Sequence, residues 1–392
     1  MSTYDVTICG AGISGLLMAS ELSKSSSVVV LEKSGRPQCS NKFWLTTRQA
    51  LDDNPEFSEC IDSEWDAMDF IAYNRSKFTA RGLYILWNTK KLEDYLIGLI
   101  NANGSKVLYD HRFYSYEIKK HSIRSYANAF SFDSHLLIDC MGYSSPIVSS
   151  ANAVNILGYH HLYGRTMNLN KPINQVAVDN VIISGTPSYL EVFPKSDGTA
   201  NVVLIAPARS ISSLEKLESD FNFIVSDTHY AEVLSPLDGC ETLHGIVPIG
   251  KVRKQALNRI LFYGEAGQIH PAASCTCLNK LLLGYKKVAS RIKQSIDLDR
   301  VSADNLKHVV PRMSGFAQRF NRNLFRQMSH LTSHQGASFV ELLQCFDEKS
   351  IDDLIFGEIR PTHFMQIANL LRVIRAKNTL WVTPFLRTVF NL

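Results

Sequence analysis

The chain has 392 residues, of which 45% are hydrophobic and 20% charged, and its formal net charge is +4 at pH 7. This balance is ordinary for a soluble globular protein, is too weakly basic to indicate nucleic-acid binding, and at this length predicts two or three domains. There is no uninterrupted run of 18 apolar residues, and the first apolar run begins almost at once. We therefore expect a cytoplasmic protein with neither a membrane span nor a signal peptide.

The cysteines give no sign of a disulfide framework or a metal site. Of the eight, only Cys275 and Cys277 lie close together, as a CxC pair. That spacing is neither a redox CxxC nor a four-ligand metal pattern, so we expect reduced thiols and no metal.

The first thirty residues carry the strongest motif. An apolar run at residues 4–9 leads into GAGISG, followed by a helical pattern to Leu22, a second apolar run at 28–31 and Glu32. This order of strand, glycine turn, helix, strand and acid is the dinucleotide-binding fingerprint in its required context. The motif alone is compatible with NAD or FAD.

Each residue of the fingerprint has a separate predicted task. Gly10 permits a tight turn, Gly12 lets backbone N–H groups approach a pyrophosphate, and Gly15 lets the helix lie close to the sheet. Glu32 is placed to accept hydrogen bonds from a ribose. The helix start and the residue after the acid complete the predicted nucleotide contacts, namely Ile13, Ser14 and Lys33.

The next hundred residues predict the rest of a nucleotide-binding domain. Arg36 and Arg48 are either cations returned to the pyrophosphate or solvated surface arginines. Residues 51–70 are expected to cover the nucleotide as loop and short helix, 78–87 to form one bent strand or a strand pair, and 91–101 a helix. An apolar strand then ends on Asp139, with Gly142 three residues later, and should bring this turn near the same cofactor.

Between residues 151 and 241 the pattern changes to short alternating segments separated by turns, with one helix at 212–223. This predicts an antiparallel substrate domain. The Tyr189, Glu191 and Phe193 side chains should share one face of a strand. That face either lines the substrate pocket, where burial would raise the pKa of Glu191 and suit general acid catalysis, or it faces solvent.

At residue 259 the chain returns to an apolar strand followed by Gly-Glu-Ala-Gly, His-Pro and a long amphipathic helix to about residue 296. A strand feeding a glycine, an acid and then a helix is a second cofactor signature of FAD proteins, in which the carboxylate bonds the ribityl hydroxyls. The predicted contacts here are Gly264, Glu265, Ala266, Gly267, Ala272 and Ala273. His270 either acts on a substrate or only caps the backbone.

From residue 302 the pattern is helical, with segments at 309–328, 339–345, 350–356 and 362–375. The apolar C-terminal end is either docked on the core or dips into a lipid interface. The predicted fold is thus α/β, α+β overall. It comprises a Rossmann-type FAD domain (residues 1–150 and 245–300), an antiparallel substrate domain (151–244) and a C-terminal helical region (301–392).

The three motifs GAGISG with Glu32, LLIDCMGYSSP and FYGEAGQIHP resemble, in order and spacing, those of the glutathione-reductase-like flavoproteins of the hydroxybenzoate-hydroxylase type. Within that group the chain is most similar to lycopene cyclases and geranylgeranyl reductases. GIVPIG with Gly264 to Pro271 resembles the cyclases, and YLEVFPKSDGTAN the reductases. The resemblance implies bound FAD and an apolar substrate, isoprenoid or polyketide-like.

Departures from the family patterns narrow the reaction. The cyclases carry a glutamate pair where this chain has Leu204-Ile205-Ala206-Pro207, so ordinary lycopene cyclisation is not expected. The WxWxIP signature of flavin-dependent halogenases is absent. Glu265 replaces the usual aspartate, and this longer acid should still bond a ribityl hydroxyl.

Three functions remain open from the sequence. The first is a redox flavoenzyme: a reductase, dehydrogenase or monooxygenase. The second is a non-redox, flavin-dependent cyclase or isomerase, and the third an FAD-binding protein without turnover. No second nucleotide fingerprint occurs, so NAD(P)H would bind transiently or a reductase partner would supply electrons. The candidate catalytic residues are His270, Glu191 and Tyr189.

Overall fold

The computed structural model describes residues 3–35, 42–183, 186–328, 343 and 347–360. Its strands are β1 (Thr3–Cys9), β2 (Val28–Leu31), β3 (Leu45–Thr47), β4 (Ile61–Ile71), β5 (Lys77–Trp87), β6 (Lys106–Leu108), β7 (Phe113–Ile118), β8 (Ile123–Ala127), β9 (Phe130–Asp139), β10 (Val154–Leu169), β11 (Val176–Ile183), β12 (Thr186–Pro194), β13 (Thr199–Ala208), β14 (Leu234–Pro236), β15 (Thr242–Val252), β16 (Ala256–Leu257) and β17 (Ile260–Phe262).

The helices of the same described part are α1 (Ile13–Leu22), α2 (Arg48–Asp52), α3 (Thr89–Ala102), α4 (Pro146–Ser150), α5 (Leu214–Val225), α6 (Thr228–Ala231), α7 (Cys277–Asp297), α8 (Ala303–Leu306), α9 (Gly315–Met328) and α10 (Glu348–Ile355). Short 3-10 helices occupy Pro55–Cys60 and Gly142–Ser144. The mixed α/β fold predicted from the sequence is confirmed.

The first sheet has the order β16-β17-β9-β1-β2-β6, and its pairs are parallel except β16 with β17. All four residues of β2 are buried, because α1, α3 and α7 cover one face and a β7-β8-β9 antiparallel unit with α4 covers the other. Burial on both faces suits the unbroken Val-Val-Val-Leu run of β2. Since the strands are parallel, the carboxyl ends of β1, β2, β9 and β17 meet at one edge.

The second sheet has the order β14-β10-β13-β12-β11-β4-β5-β3, with β15 also paired to β10. Its pairs are antiparallel except β4 with β11. One face packs on α5, where Phe221 meets residues such as Leu190 and Leu204. The opposite face carries Tyr189, Phe193 and Ile205 in a separate cluster.

Two segments that the prediction assigned to the nucleotide-binding domain belong to the second sheet in the structure. Residues 45–87 supply β3, β4 and β5, although the prediction placed residues 1–150 in the nucleotide domain. The strand β15 (Thr242–Val252) pairs with β10 in the second sheet. The prediction had instead placed residues 245–300 in the nucleotide-binding domain. The expectation of loop and short helix at residues 51–70 is wrong beyond residue 60, because buried Trp65 and Met68 make β4 a strand.

The helical predictions agree with the structure where it describes the chain. α3, α5 and α7 lie at the expected positions, whereas the segment expected from residue 309 becomes helical only at Gly315, after Pro311. The predicted helix at 362–375 and the apolar C-terminal end lie outside the described residues, as does the helix at 339–345 apart from buried Leu343. Within the described ranges we find no helix with the length and apolarity that a bilayer crossing requires.

The close packing of the first turn can be tested by replacing two helical glycines, Gly15 in α1 and Gly98 in α3. An added Cβ at Gly15 would lie 2.0 Å from the carbonyl oxygen of Gly10, whereas one at Gly98 in α3 meets nothing within 4 Å. Gly15→Ala should therefore lower the free energy of unfolding by about 3 kcal/mol, as overpacking does. Gly98→Ala should raise it by about 0.5–1 kcal/mol through helix propensity. Equal midpoints in urea unfolding of the two variants would contradict this packing.

Candidate active site between the two sheets

Three turns meet at the carboxyl edge of the parallel sheet. Gly10 has φ +100°, and a Cβ there would lie 2.6 Å from the carbonyl oxygen of Cys140 in the turn after β9. Gly264 has φ +66°, and a Cβ there would lie 2.5 Å from Ser14 Oγ in α1. Only glycine combines these φ values with such close approach. The first motif is therefore packed directly against both of the others.

The second and third motifs also touch each other. Gly142, with φ +67°, has Glu265 Oε2 3.1 Å from the position of its missing Cβ. The three stretches that the sequence singled out thus form one continuous surface, although they are separated by more than a hundred residues each.

The start of α1 opens into a cavity beside these turns. Its N-cap, Gly12, provides no side-chain cap, and a Cβ at Gly12 would meet no protein atom within 4 Å. The first N–H groups of a helix have no intrahelical partner, and they carry partial positive charge. Gly12, Ile13 and Ser14 line the cavity, so these donors are offered to an anion there.

Glu32 stands beside the helix start as predicted. Its carboxylate accepts hydrogen bonds from the N–H groups of Ala11 at 2.8 Å and Ser34 at 2.9 Å. The side chain is buried at the cavity wall, so its position is held by backbone donors on both sides.

The polar end of the cavity carries cations that sequence reasoning missed. Lys33 was predicted, but Arg112 and Lys42 line the same end. Lys42 Nζ donates to the carbonyl oxygen of His244 at 2.9 Å. Arg112 follows β6, the strand next to β2, so the strand order of the sheet would have placed it there. Without the strand order, the sequence around an isolated basic residue does not indicate whether that residue lines the cavity.

The cavity has a volume of about 920 Å³ and runs from the helix start into an apolar chamber between the two sheets. The chamber is lined by Met68, Phe70, Leu162, Val178, Tyr189, Phe193, Ile205, Leu243, Leu324, Met328, Leu343, Ile351, Leu354 and Ile355. These side chains come from the second sheet, from α9 and α10, and from Leu343 between the two helices. α10 is held in place by the Tyr84 hydroxyl, which donates to Asp352 at 2.8 Å.

Glu191 is the carboxyl group of this chamber. It lies on β12 between Tyr189 and Phe193, and all three line the cavity, whereas Leu190 and Val192 pack on the opposite side. The alternation predicted from the sequence therefore faces the cavity. Burial raises the pKa of Glu191 to about 7. The Tyr189 hydroxyl is also buried and has no hydrogen-bond partner among the described residues.

The start of α7 forms another wall of the cavity. Cys275, Thr276 and Cys277 line the cavity, and Thr276 Oγ1 donates to the carbonyl oxygen of Ile355 at 3.0 Å. The N–H of Cys277, the first residue of α7, donates to the carbonyl oxygen of Cys275 at 2.7 Å, and no side chain caps the helix start. Burial raises the pKa of both cysteine thiols, which keeps them protonated.

Glu265 lines the cavity just before this helix. Burial raises the pKa of its carboxyl, and the nearby Lys42 ammonium opposes that rise. Of the later motif residues, Ala273 also lines the cavity. Gly264 and Ala266 are buried in the turn beneath it.

Several predicted residues do not reach the cavity. Asp139 is fully buried, and its carboxylate accepts hydrogen bonds from the Met141 N–H at 3.0 Å and from the Ser145 hydroxyl. Asp139 thus shapes the second turn, and burial raises its pKa to about 6. Gly15 lies behind the helix start. Arg36 falls outside the described residues.

Arg48 is a surface residue in the structure, not a pyrophosphate contact. Its guanidinium pairs with Asp52 at 3.0 Å and with Glu64 at 3.3 Å. The neighbouring strand β4 supplies Glu64, which sequence reasoning had placed in a loop over the nucleotide.

His270 lies on the other side of the third motif. Together with Gly267 and Ala272 it lines a second, smaller cavity, while Glu191 lines the first. His270 Nε2 is 3.1 Å from the carbonyl oxygen of Pro248, and burial lowers the pKa of the ring to about 4. The structure does not bring His270 and Glu191 together, so a shared catalytic role has no geometric basis.

The family model for lycopene cyclase protein matches residues 5–180. No curated protein matches the sequence. The resemblance to lycopene cyclases is confirmed over that part of the chain, whereas the GIVPIG and Gly264 to Pro271 motifs lie outside it.

Solved structures share the fold over nearly the whole chain. A geranylgeranyl bacteriochlorophyll reductase-like protein from Thermoplasma acidophilum is 16% identical, with a TM-score of 0.66 and 92% of each chain covered. The p-nitrophenol 4-monooxygenase of Pseudomonas putida is 13% identical, with a TM-score of 0.68 and coverage of 93% of this chain and 98% of that one. The halogenase PltM, in complex with phloroglucinol and FAD, is 13% identical, with a TM-score of 0.67 and coverage of 98% and 94%. The fold expected from the motifs is confirmed.

The raised pKa of Glu191 makes stability depend on pH. In the folded protein its pKa is about 7, whereas an unfolded Glu has a pKa of about 4.3. The neutral acid therefore contributes stability that is fully present below about pH 4 and lost as the pH rises to 7. Relative to wild type, Glu191→Gln should gain up to about 3 kcal/mol in unfolding free energy between pH 4 and pH 7.

Urea unfolding at a series of pH values measures this difference. Glu59→Gln, at an exposed carboxyl, should leave the pH profile of wild type unchanged. Parallel profiles for wild type and Glu191→Gln would show that folding does not raise the pKa of Glu191.

Proposed function

We propose that the protein is an FAD-dependent oxidoreductase acting on an apolar substrate. The observation that carries this proposal is the single cavity that joins a helix-start anion site to an apolar chamber. A dinucleotide needs the first, because pyrophosphate binds at uncapped helix N-termini. A hydrophobic substrate needs the second. A halogenase that shares the fold was solved in complex with phloroglucinol and FAD, a small aromatic molecule and a dinucleotide.

The residues of the cavity fit FAD. The open space beside Gly12 and the free donors of α1 suit the pyrophosphate, Glu32 suits a ribose diol, and Lys33 and Arg112 add positive charge. Glu265, with Gly142 beside it, is placed for the ribityl hydroxyls. The uncapped start of α7 would place positive dipole charge near the flavin end, in line with the prediction from the third motif.

When bound, FAD would supply hydride or oxygen-transfer chemistry. The side chains of this protein would exclude water from the apolar chamber and orient the substrate there. Glu191 could hold a proton near neutral pH because its pKa is about 7. Tyr189, beside it on the same strand face, would position the substrate rather than transfer a proton, because burial raises the pKa of its hydroxyl.

A second candidate is a non-redox cyclase or isomerase that requires reduced flavin. Two observations favour it: the match of residues 5–180 to the lycopene cyclase model, and a neutral carboxylic acid in an apolar chamber. An acid in that setting can protonate a carbon–carbon double bond. Glu191 lies on β12, and the family's missing glutamate pair would fall on the neighbouring strand β13.

The remaining parts of the proposal concern partners. We infer an isoprenoid or polyketide-like substrate from the apolar lining. The electrons would come from transiently bound NAD(P)H or from a reductase partner. Peripheral membrane contact through the apolar C-terminal end belongs to the same proposal and falls outside the described residues.

Flavin binding can be tested with Gly12→Val. The position has ordinary backbone geometry (φ −69°) and open space beside it, so the variant should fold normally. The new side chain would occupy the pyrophosphate position, and bound FAD should fall at least tenfold. Flavin released on heating measures occupancy, and circular dichroism checks the fold. Wild-type protein that stays colourless after reconstitution with FAD refutes the proposal, and full occupancy in Gly12→Val refutes the placement.

Glu191→Gln tests the acid and separates the two candidate reactions. Turnover of an acyclic polyene such as lycopene or geranylgeraniol should fall by about 10²–10⁴-fold, the usual contribution of general acid catalysis, while flavin content stays unchanged. Glu191→Asp should retain part of the activity. Consumption of one NAD(P)H per product identifies an oxidoreductase, whereas cyclisation that needs reduced flavin and consumes none identifies the cyclase. Unchanged turnover in Glu191→Gln excludes the acid role.

A further inference from the structure

A second cavity of about 370 Å³ lies behind the third motif. Gly267, His270 and Ala272 form one wall, while Glu265, Ala273 and Cys275 of the same stretch line the first cavity. The other walls come from α7, from residues 310–313 and from α9. One loop is therefore shared by two separate cavities.

The side chains around the second cavity carry an excess of positive charge. Lys280, Lys287, Arg312 and Arg322 line it, against the one carboxylate of Glu358. Glu358 forms an ion pair with Lys280. Within the described part of the chain, Lys287, Arg312 and Arg322 have no acidic partner.

The surroundings of Arg322 show that this excess of positive charge is unfavourable. Arg322 is half-buried, and its Nη1 donates a long hydrogen bond of 3.5 Å to Gln318 Oε1. Burial lowers the pKa of both Arg312 and Arg322, and the neighbouring Arg319 and Arg326 lower that of Arg322 further. Arg312 and Lys287 are exposed, whereas Arg322 is half-buried, so an anion in the cavity would offset the repulsion among the arginines and accept hydrogen bonds from both guanidinium groups.

We propose that this second cavity binds a phosphorylated small molecule of up to mononucleotide size, with its phosphate on Arg312, Arg322 and Lys287. Two guanidinium groups and an ammonium suit a doubly charged phosphate better than a single carboxylate, because arginine bonds phosphate oxygens in pairs. A volume of 370 Å³ lies near the lower end of the range for small-ligand sites, about 300–1,000 Å³. That size accommodates a mononucleotide and excludes a whole dinucleotide.

The floor of the cavity is polar but uncharged. His270 and Asn321 are 3% and 0% exposed, and His270 Nδ1 and Asn321 Oδ1 each lack a hydrogen-bond partner among the described residues. Both atoms are covered by neighbouring side chains, so the cations, not these acceptors, define the ligand. His270 stays neutral at physiological pH, since burial lowers its pKa to about 4.

The shared loop connects this ligand to the first cavity. Gln268 Oε1 accepts from the Gly250 N–H at 2.7 Å, and its Nε2 donates to the carbonyl oxygens of Pro248 at 3.0 Å and Glu265 at 3.1 Å. Movement of Gln268 would therefore be transmitted to Glu265. This coupling rests on the proposed FAD site, whereas binding in the second cavity does not.

The test is calorimetric titration of AMP and of inorganic phosphate into two proteins. One is the FAD-loaded wild type, and the other is Gly12→Val, in which the new side chain blocks the proposed pyrophosphate position of the first cavity. Both should bind one AMP saturably. Arg312→Gln/Arg322→Gln should weaken binding at least tenfold, about the loss expected for two charge-assisted hydrogen bonds. Arg319→Gln removes the same charge from α9 outside the cavity and should change the affinity less than twofold.

Three results would overturn the inference: no saturable binding of either probe up to about 10 mM, equal weakening by Arg319→Gln, or binding that survives in Arg312→Gln/Arg322→Gln. In the FAD-loaded protein, AMP should also shift the flavin absorbance spectrum. Failure of wild type to bind flavin refutes the proposed function alone, because the Gly12→Val titration still tests the second cavity.

Discussion

The contact between three turns at one edge of the parallel sheet governs the rest of the structure. Gly10 and Gly264 hold positive φ values and leave no room for a Cβ, so the turns after β1, β9 and β17 can pack against one another. That packing brings the starts of α1 and α7 to the same cavity. Without it, the free helix donors would point to separate places, and no elongated cofactor could use both.

The cavity between the sheets changes character along its length. At the helix starts it offers backbone donors and cations, whereas near β12, α9 and α10 it is apolar around Glu191. The difference follows from the sheets: parallel strands end in polar turns at one edge, and the antiparallel sheet presents one face of alternating side chains. A carboxyl group has little solvation in the second setting, which raises its pKa.

Local patterns in the sequence predicted the parts of the site that depend on neighbours along the chain. The three glycine motifs and the alternation of Tyr189, Glu191 and Phe193 are of this kind. The sequence could not predict which strands pair across long separations, so β4 was expected to be loop and short helix, and Arg48 was left open between a cofactor contact and a surface arginine. Nor does periodicity reveal on which side of a loop a side chain lies. His270 and Glu265 therefore seemed to serve one cavity, although they line two.

The repeated crossing of the chain between the sheets has a consequence for folding. β1 pairs with β9, and β9 with β17, so the parallel sheet is complete only when residues near 260 have been synthesised. By then β3 to β5 and β10 to β13 are already exposed and belong to the other sheet. Such long-range pairing makes folding slow and leaves strand edges open on the ribosome. No contiguous fragment contains either sheet alone, so each sheet is assembled from segments that are separated along the chain by strands of the other.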